Sequence, residues 1–536
     1  MSGRLLRRRR AAVLACGYVF GDPECATARP GGPCAPKSVP SPWHGLPATR
    51  GTRLLGSLNP YVFVCALALA SAVAGCAARR AAAPPVEMPG AFSASGAEAA
   101  PAKWWTALGD PQLDALVEQA LAGNLDLKST WARLDQAAAL AREAGADLWP
   151  SVTAAAAASR TRTDVGNDPA VYANAFGLGV AASYEVDLWG RVRATADAAA
   201  LEARATREDL AAAAMTLAAQ VAAARYRLVE LSGQLDLLDQ QIRTNTDYLE
   251  LVTLRFRRGK VSAVDVLQQR QLVEATRAER VLAESERQVL AHQLAILVGR
   301  PPAADVAGAE GALPALPALP RTGLPADLIR SRPDVCGAFE RLRAADQRVA
   351  AAVADRFPRV SLSAGAETTA ARVRDLFDNW VASLAANLAA PVFDGGRREA
   401  EVERTRAVAS ERLHAYGQAV LDALREVEDA LVQERQQAEY LASLERQLDL
   451  ASKATERTRQ QYVGGQLDYL RVLAALRSEQ RLQRTRLQAR RELVQFRIDL
   501  YRALGGGWAM TRPGAGPAAA EAAAPAPPAP PAGPDG

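Results

Sequence analysis

The sequence is poor in the residues that bind metals. Its 536 residues include only three histidines and four methionines. His292 and His414 fall in predicted long helices and have no carboxylate or cysteine at metal-ligand spacing. So few methionines cannot line a copper path. Because no group of catalytic residues is recognisable either, we predict no metal site, no cofactor and no enzymatic activity.

Proline is absent from two long stretches, residues 191–256 and 397–462. In both stretches apolar residues recur at steps of three, four and seven, which is the heptad pattern of packed helices. A helix of this length is roughly 100 Å long. We therefore predict two very long helices, each followed by a glycine turn and a shorter returning helix. The turns are predicted at Gly259 and at Gly464 with Gly465.

The same landmarks occur twice, at a constant offset of 206 residues. A fixed spacing over this length indicates a duplicated architecture, because packed elements do not absorb length changes. We predict two tandem structural repeats, at residues 104–299 and 325–508, joined by a Pro-rich linker at 300–324. The corresponding pairs include Gly190 and Gly396, Arg191 and Arg397, Gly259 and Gly465, and Gly299 and Gly505.

Strand-like segments precede each long helix. Residues 176–186 and 380–388 alternate between apolar and small or polar side chains, and residues 150–162 and 357–369 are also strand-like. Strands of about ten residues suit a transmembrane barrel, but four strands cannot close one and lipid does not tolerate open edges. Several chains must then share one barrel; the alternative is a soluble four-stranded sheet. Tight strand–helix junctions are predicted at Gly190, Arg191, Gly395, Gly396 and Arg397.

Residues 61–75 form an apolar run that is too short for a spanning helix and leads into Cys76 after small residues. This pattern predicts a lipoprotein signal peptide within a leader at residues 1–75, with lipidation at Cys76. Ala77 favours an outer-membrane address. The first 45 residues suggest a misassigned start. The remaining segments are a tether at 76–103 and a disordered Ala/Pro-rich tail at 509–536.

The leader also explains the apparent basicity and most of the cysteines. The whole chain has a net charge of +5, and residues 1–75 alone carry nine basic and two acidic residues, or +7. The rest of the chain is therefore at −2 and gives no case for nucleic-acid binding. Because four of the six cysteines lie in the leader and Cys76 is lipidated, Cys336 alone remains and no disulfide framework forms.

Six motifs taken together resemble the TolC-like outer membrane factors, specifically the OprM- and NodT-type lipoproteins of tripartite RND efflux pumps. The resemblance covers about residues 70–508. It implies a homotrimer in which twelve strands form one barrel and twelve helices form a periplasmic coiled-coil tunnel. The motifs are WWTALGDPQLDALV (104–117), DLWGR (187–191), LPADLIRSRPDV (324–335), FPRVSLSA (357–364), FDGGR (393–397) and ALGGGW (503–508).

The resemblance further implies that the helical tips meet a periplasmic adaptor that is joined to an inner-membrane RND-type transporter. Family members close the tunnel at the start of the second returning helix, often with an aspartate ring. The matching positions here are Leu470, Arg471 and Ala474, so those carboxylates are absent. Asp265, the repeat counterpart of Arg471, either pairs with it or is merely exposed. The adaptor-contacting tip residues are Gly259, Lys260, Ser262, Gly464, Gly465 and Asp468.

The predicted fold is thus a mixed α+β membrane protein, and the predicted function is an outer-membrane exit duct for drugs or other small toxic compounds. One alternative is a duct for type I protein secretion. A second alternative, of another class, is a periplasmic coiled-coil adaptor or scaffold. An adaptor would carry one helical hairpin flanked by lipoyl-like segments, whereas this sequence predicts two hairpins and two strand pairs.

Overall fold

The structure, a computed structural model, describes residues 86–164, 166, 168–302, 311–505, 510 and 512. The leader and Cys76 lie outside the described residues, as does the predicted tail apart from residues 510 and 512. No helix in the described part of the chain is both long and apolar enough to cross a membrane.

The two halves of the chain carry equivalent elements in the same order. The first contains α1 (Pro111–Gly123), α2 (Leu125–Ala146), β1 (Ser151–Thr163), β2 (Val171–Val186), α3 (Arg191–Arg257) and α4 (Ala263–Leu297). The second contains α5 (Pro325–Ser331), α6 (Pro333–Ala354), β3 (Arg359–Ala370), β4 (Val381–Ala389), α7 (Arg397–Val463) and α8 (Tyr469–Leu504). Short 3-10 segments occupy Trp104–Leu108 and Val373–Asp375.

The long helices are confirmed. Helices α3 and α7 have 67 residues each, and both begin at the predicted residue and end one residue beyond the predicted end. Neither contains a proline, so the backbone ladder is not interrupted. Their returning partners α4 and α8 have 35 and 36 residues. Each half is therefore a long helical hairpin that extends far beyond the width of an ordinary domain.

The four predicted strands are also confirmed, and they form one antiparallel sheet in the order β1-β2-β3-β4. Each hairpin pairs with itself, and β2 pairs with β3 to join the two halves, with Ser183 opposite Ser363. Strands β1 and β4 each have a single partner within the chain. Every residue of β1 and of β4 is exposed, so the outer edge and both faces of each of these two strands lack cover in one chain.

In both halves, the end of the returning helix accepts a hydrogen bond from the residue that precedes the second helix of that half. The Asn124 side chain, which caps α2, donates to the carbonyl of Leu297 at the end of α4, at 3.0 Å. The Arg332 guanidinium, at the start of α6, donates to the carbonyl of Ala503 at the end of α8, also at 3.0 Å. Gly299, just beyond the end of α4, has a φ of +78°, and a Cβ added there would lie 2.3 Å from the Gly123 carbonyl oxygen. Glycine is therefore required at this close approach.

Three large clusters of buried side chains, together with a small one at Leu235, Leu238 and Ala283, hold the helices of the described residues together. The first lies where α1 packs on α3, α4 and α8, the second lies between α6, α7 and α8, and the third lies near the helical tips. Representative members are Trp105, Val221 and Ile498 in the first, Val335, Val427 and Leu500 in the second, and Val252, Tyr462 and Val472 in the third.

Part of the predicted tether is packed against the rest of the protein. The amide of Gly96 donates to the Pro320 carbonyl at 3.0 Å, and the Thr322 hydroxyl donates to the Ala94 carbonyl at 3.1 Å. Phe92 packs against the cluster between α6, α7 and α8. No periodic pattern in the sequence marks these contacts, because they join two irregular segments that lie far apart in the chain.

Candidate functional site

The helical tip between α3 and α4 is a tight glycine turn. Gly259 has a φ of +70°, and its amide donates to the Phe256 carbonyl at 2.8 Å. The Lys260 amide donates to the Arg255 carbonyl at 2.9 Å, which completes the closure of the α3 C-terminus. Ser262 then caps α4, so the chain reverses direction within a few residues.

The tip between α7 and α8 has the same design. Gly465 has a φ of +76°, its amide donates to the Tyr462 carbonyl at 3.0 Å, and the Gln466 amide donates to the Gln461 carbonyl at 2.9 Å. Asp468 caps α8 through a 3.1 Å hydrogen bond from the Arg471 amide. Two pairs of the predicted tip residues, Gly259 with Gly465 and Ser262 with Asp468, therefore occupy equivalent positions in two turns with the same backbone hydrogen bonds.

The predicted aperture residues lie in the first turns of α4 and α8. Asp265 accepts hydrogen bonds from the Ser262 amide at 3.0 Å and from the Ser262 hydroxyl at 2.9 Å, so its carboxylate completes a capping box in its own helix. Arg471 and Ala474 are exposed, and Leu470 has 57% of its surface exposed. Within the described part of this single chain, no ion pair joins Asp265 to Arg471.

Arg255 ties the two tips together. It donates to the carbonyls of Tyr462 at 2.7 Å and Val463 at 2.8 Å, and its guanidinium lies 4.3 Å from the centre of the Tyr462 ring. A cation that satisfies the last carbonyls of α7 also interacts favourably with that helix dipole. Sequence reasoning missed this residue, because a basic side chain near a helix end is too common to signal a specific contact.

A buried layer of amide side chains lies behind the tips and joins α3, α4 and α8. Asn245 donates to the Thr276 hydroxyl at 3.1 Å, and Gln480 donates to the Asn245 side-chain oxygen at 2.8 Å. Gln269 donates to the Asn245 carbonyl at 2.6 Å and accepts from the Tyr469 hydroxyl at 2.6 Å. Burial raises the pKa of the Tyr469 phenol, which therefore remains a neutral donor.

A comparison with protein families identifies the family to which these hairpins belong. Residues 116–300 and 324–506 match the model of the outer membrane efflux protein family. The chain belongs to that family. It is 34% identical over 421 residues to the pyoverdine export outer membrane protein OpmQ of Pseudomonas aeruginosa, covering 77% of this chain and 89% of the relative. The outer membrane protein OprJ of the same species is 31% identical and covers 76% and 86%.

Solved structures agree with this assignment. The outer-membrane channel OprN superposes with a TM-score of 0.74 at 30% identity, covering 80% of this chain and 99% of that chain. The outer membrane protein VceC of Vibrio cholerae has a TM-score of 0.70 at 28% identity, with coverage of 76% and 99%. The predicted resemblance and the predicted outer-membrane efflux duct are therefore confirmed for this outer membrane efflux protein.

The strand–helix junctions of the efflux protein are tight, but the two are not identical. Gly190 and Gly396 precede α3 and α7 with φ values of +76° and +84°. Arg191 forms a paired contact with Glu185, at 3.1 and 2.7 Å, and this hydrogen bonding raises the pKa of the Arg191 guanidinium. Its repeat counterpart Arg397 has no matching contact in the described residues.

Arg398 makes the ion pairs at the second junction instead. Its guanidinium contacts the Asp355 carboxylate at 3.1 Å and the Asp394 carboxylate at 3.0 Å. Asp394 also accepts a hydrogen bond from the Gly396 amide at 3.1 Å, so this carboxylate links Arg398 to the backbone of the junction. The repeat offset identifies Arg397 as the counterpart of Arg191, but it does not show which of two adjacent arginines makes the ion pairs at the junction.

The described residues contain no group of three or more histidine, cysteine, aspartate or glutamate side chains placed to hold a metal ion.

Proposed function

We propose that three copies of this chain close one transmembrane barrel of twelve strands, four from each copy. The observation that carries the proposal is the pair of open sheet edges at β1 and β4. Strand β4 also exposes large apolar side chains, with 83% of Leu384 and 71% of Leu388 exposed. Unpaired backbone groups are very unfavourable in lipid, and pairing β4 of one copy with β1 of the next satisfies both edges.

In this assembly the helical hairpins continue the barrel into the periplasm as a coiled-coil tunnel. Helices of 67 residues are roughly 100 Å long, which is enough to reach well away from the outer membrane. The tips at Gly259, Lys260, Ser262, Gly464, Gly465 and Asp468 are the proposed contact sites of a periplasmic adaptor. The adaptor in turn joins the duct to an inner-membrane RND-type transporter.

The proposed periplasmic aperture is formed by Leu470, Arg471 and Ala474, with Asp265 nearby. In a trimer each residue would form a ring of three. Because the Asp265 carboxylate already accepts two hydrogen bonds from Ser262, an ion pair with Arg471 of a neighbouring hairpin would share that carboxylate.

The proposed cargo is a drug or another small toxic compound that an inner-membrane transporter delivers. The relatives differ in the cargo that their names state: OpmQ is a pyoverdine export protein, TtgI of Pseudomonas putida belongs to a toluene efflux pump, and CusC of Escherichia coli belongs to a cation efflux system. Ducts of one family thus belong to systems with different cargo, which supports the proposal that the transporter chooses the compound.

We also propose that Cys76 is lipidated and anchors the chain to the inner leaflet of the outer membrane. The apolar run and the small residues before Cys76 support this proposal. Cys76→Ser should abolish incorporation of labelled palmitate and signal cleavage. Labelling of the variant equal to that of the unsubstituted protein contradicts the assignment.

Planar lipid bilayers test the duct itself. The purified protein should insert and give discrete conductance steps, because the closed barrel encloses water. A matched preparation in which β4 carries Ala385→Pro should not assemble. Proline has no backbone N–H, so it removes a hydrogen bond in the middle of a strand that must pair with a neighbour along each edge in the barrel. Absence of conductance steps from the unsubstituted protein contradicts the proposal.

A further inference from the structure

The two helical tips have matching backbones but different charges. Residues 254–266 contain four basic residues and one acidic residue, a net charge of +3. The equivalent residues 460–472 contain one basic and one acidic residue, a net charge of zero. The four basic residues of the first tip, Arg255, Arg257, Arg258 and Lys260, correspond to the uncharged Gln461, Val463, Gly464 and Gln466 in the second. The charge also differs where Ser262 corresponds to Asp468 and where Asp265 corresponds to Arg471.

Only one of the four basic residues has a structural role in the described part of the chain. Arg255 caps the carbonyls of α7. Arg257, Arg258 and Lys260 are exposed, and their side chains form no ion pair or hydrogen bond with any other described residue. The nearby Asp265 carboxylate is occupied by the amide and hydroxyl of Ser262. The end of the α3–α4 hairpin therefore presents three uncompensated positive charges.

The helix dipole alone does not account for these charges. Cations near a helix C-terminus stabilise it, so basic residues at the end of α3 have a possible structural purpose. The second tip is an internal control, because α7 ends in the same turn with Val463 and Gly464 and with no basic residue in its last turn. Since the turn forms without these charges, their presence in the first tip requires another explanation.

We propose that the end of the α3–α4 hairpin, at Arg257, Arg258 and Lys260, is a cationic docking surface for an acidic surface on a periplasmic protein. The proposal rests on the proposed function, in which the tips meet a partner, and it specifies which of the two tips carries the charge recognition. Exposed like charges attract an oppositely charged surface over several ångströms and orient it before contact. In a trimer, three cationic tips alternate with three neutral ones.

Exchange of residues between the two tips gives a variant that is expected to fold. Arg257→Val, Arg258→Gly and Lys260→Gln together give the first tip the residues of the second. The reciprocal variant, Val463→Arg with Gly464→Arg and Gln466→Lys, is also compatible, because Gly464 has a φ of −72° and a Cβ there would meet only ordinary contacts. A matched control removes three exposed, unpaired arginines of α7 through Arg406→Gln, Arg435→Gln and Arg446→Gln.

The probe is a fluorescein-labelled oligoglutamate peptide, whose binding to the detergent-solubilised full chain is measured by fluorescence anisotropy at low salt. Removal of three exposed charges from the first tip should weaken binding about tenfold. Each exposed ion pair contributes only part of the free energy that corresponds to a tenfold change in affinity, and three pairs together contribute about that amount. The control variant should bind like the unsubstituted protein, and the reciprocal variant should bind more tightly. Affinity should fall with added salt.

Unchanged affinity in the first-tip variant, or an equal loss in the α7 control, overturns the proposal. Binding to phosphatidylglycerol vesicles without binding to the peptide also overturns it, because the surface would then recognise lipid. Conductance in planar bilayers separates this result from the proposed function. A first-tip variant that conducts normally but keeps full peptide affinity refutes the docking surface and leaves the duct intact.

Discussion

The buried amide layer behind the tips allows a quantitative prediction. Asn245 is fully buried and exchanges hydrogen bonds with Gln480, through contacts of 2.8 and 3.3 Å, and also donates to Thr276. Asn245→Leu fills the space but leaves the Gln480 amide without its partner. A buried polar group without a partner costs about 1–3 kcal/mol, so we expect the tip to lose about 2 kcal/mol of local stability.

The double variant Asn245→Leu with Gln480→Leu separates this effect from a simple change in packing. Replacing both partners by apolar groups of similar shape removes the unsatisfied amide, so the double variant should be more stable than the sum of the two single losses predicts. The remaining contact from Gln269 goes to the Asn245 backbone carbonyl and is kept in every variant.

Hydrogen–deuterium exchange of the detergent-solubilised protein measures the effect directly. A loss of about 2 kcal/mol makes amide exchange roughly 30-fold faster in peptides from residues 240–280 and 470–485, while peptides near the sheet should not change. Thr244→Ala, at an exposed position one residue away, is the control. Unchanged exchange in Asn245→Leu, or a double variant as unstable as the sum of the single ones, refutes the reasoning.

Three further predictions concern single positions. Burial raises the pKa of the Cys336 thiol to about 11, so maleimide should label it much more slowly than a free cysteine at pH 8 and faster as the pH rises toward 11; labelling at the rate of free cysteine contradicts this. Gly465→Ala, at a φ of +76°, should lower the free energy of local unfolding by roughly 1–2 kcal/mol, whereas Gly464→Ala, at a φ of −72°, should be neutral or slightly stabilising. Hydrogen–deuterium exchange of peptides from the tip measures both effects. Arg471→Asp should increase conductance and cation selectivity in planar bilayers through repulsion with Asp265, and unchanged conductance would mean that Arg471 faces away from the aperture.

The elements that the sequence predicts well are those set by local periodicity. The heptad pattern between Arg191 and Phe256 persists over many turns, so the helix and its end were predictable to within one residue. The strands were predictable because alternation and small residues mark both hairpins. Turn glycines such as Gly259 and Gly465 were predictable because a sharp reversal between two long helices favours a residue that tolerates positive φ.

Contacts between distant segments were not predictable from one sequence. Asn245 occupies a heptad position of α3 that is otherwise apolar, so the sequence shows only an interruption of the apolar pattern there. Its hydrogen-bond partner Gln480 lies in the other half of the chain. Arg255 caps a helix of the other hairpin, and residues 94–98 dock on the linker through backbone groups. Such contacts depend on which surfaces meet after folding, and local periodicity carries no information about them.

The mass of the detergent-solubilised particle tests the central claim most directly, because a shared barrel exists only if several chains pair their sheet edges. Light scattering with the bound detergent subtracted should give about three chains for each particle, in agreement with the open edges at β1 and β4. A stable particle that contains one chain would contradict the account, since a single four-stranded sheet cannot satisfy its edges in a membrane.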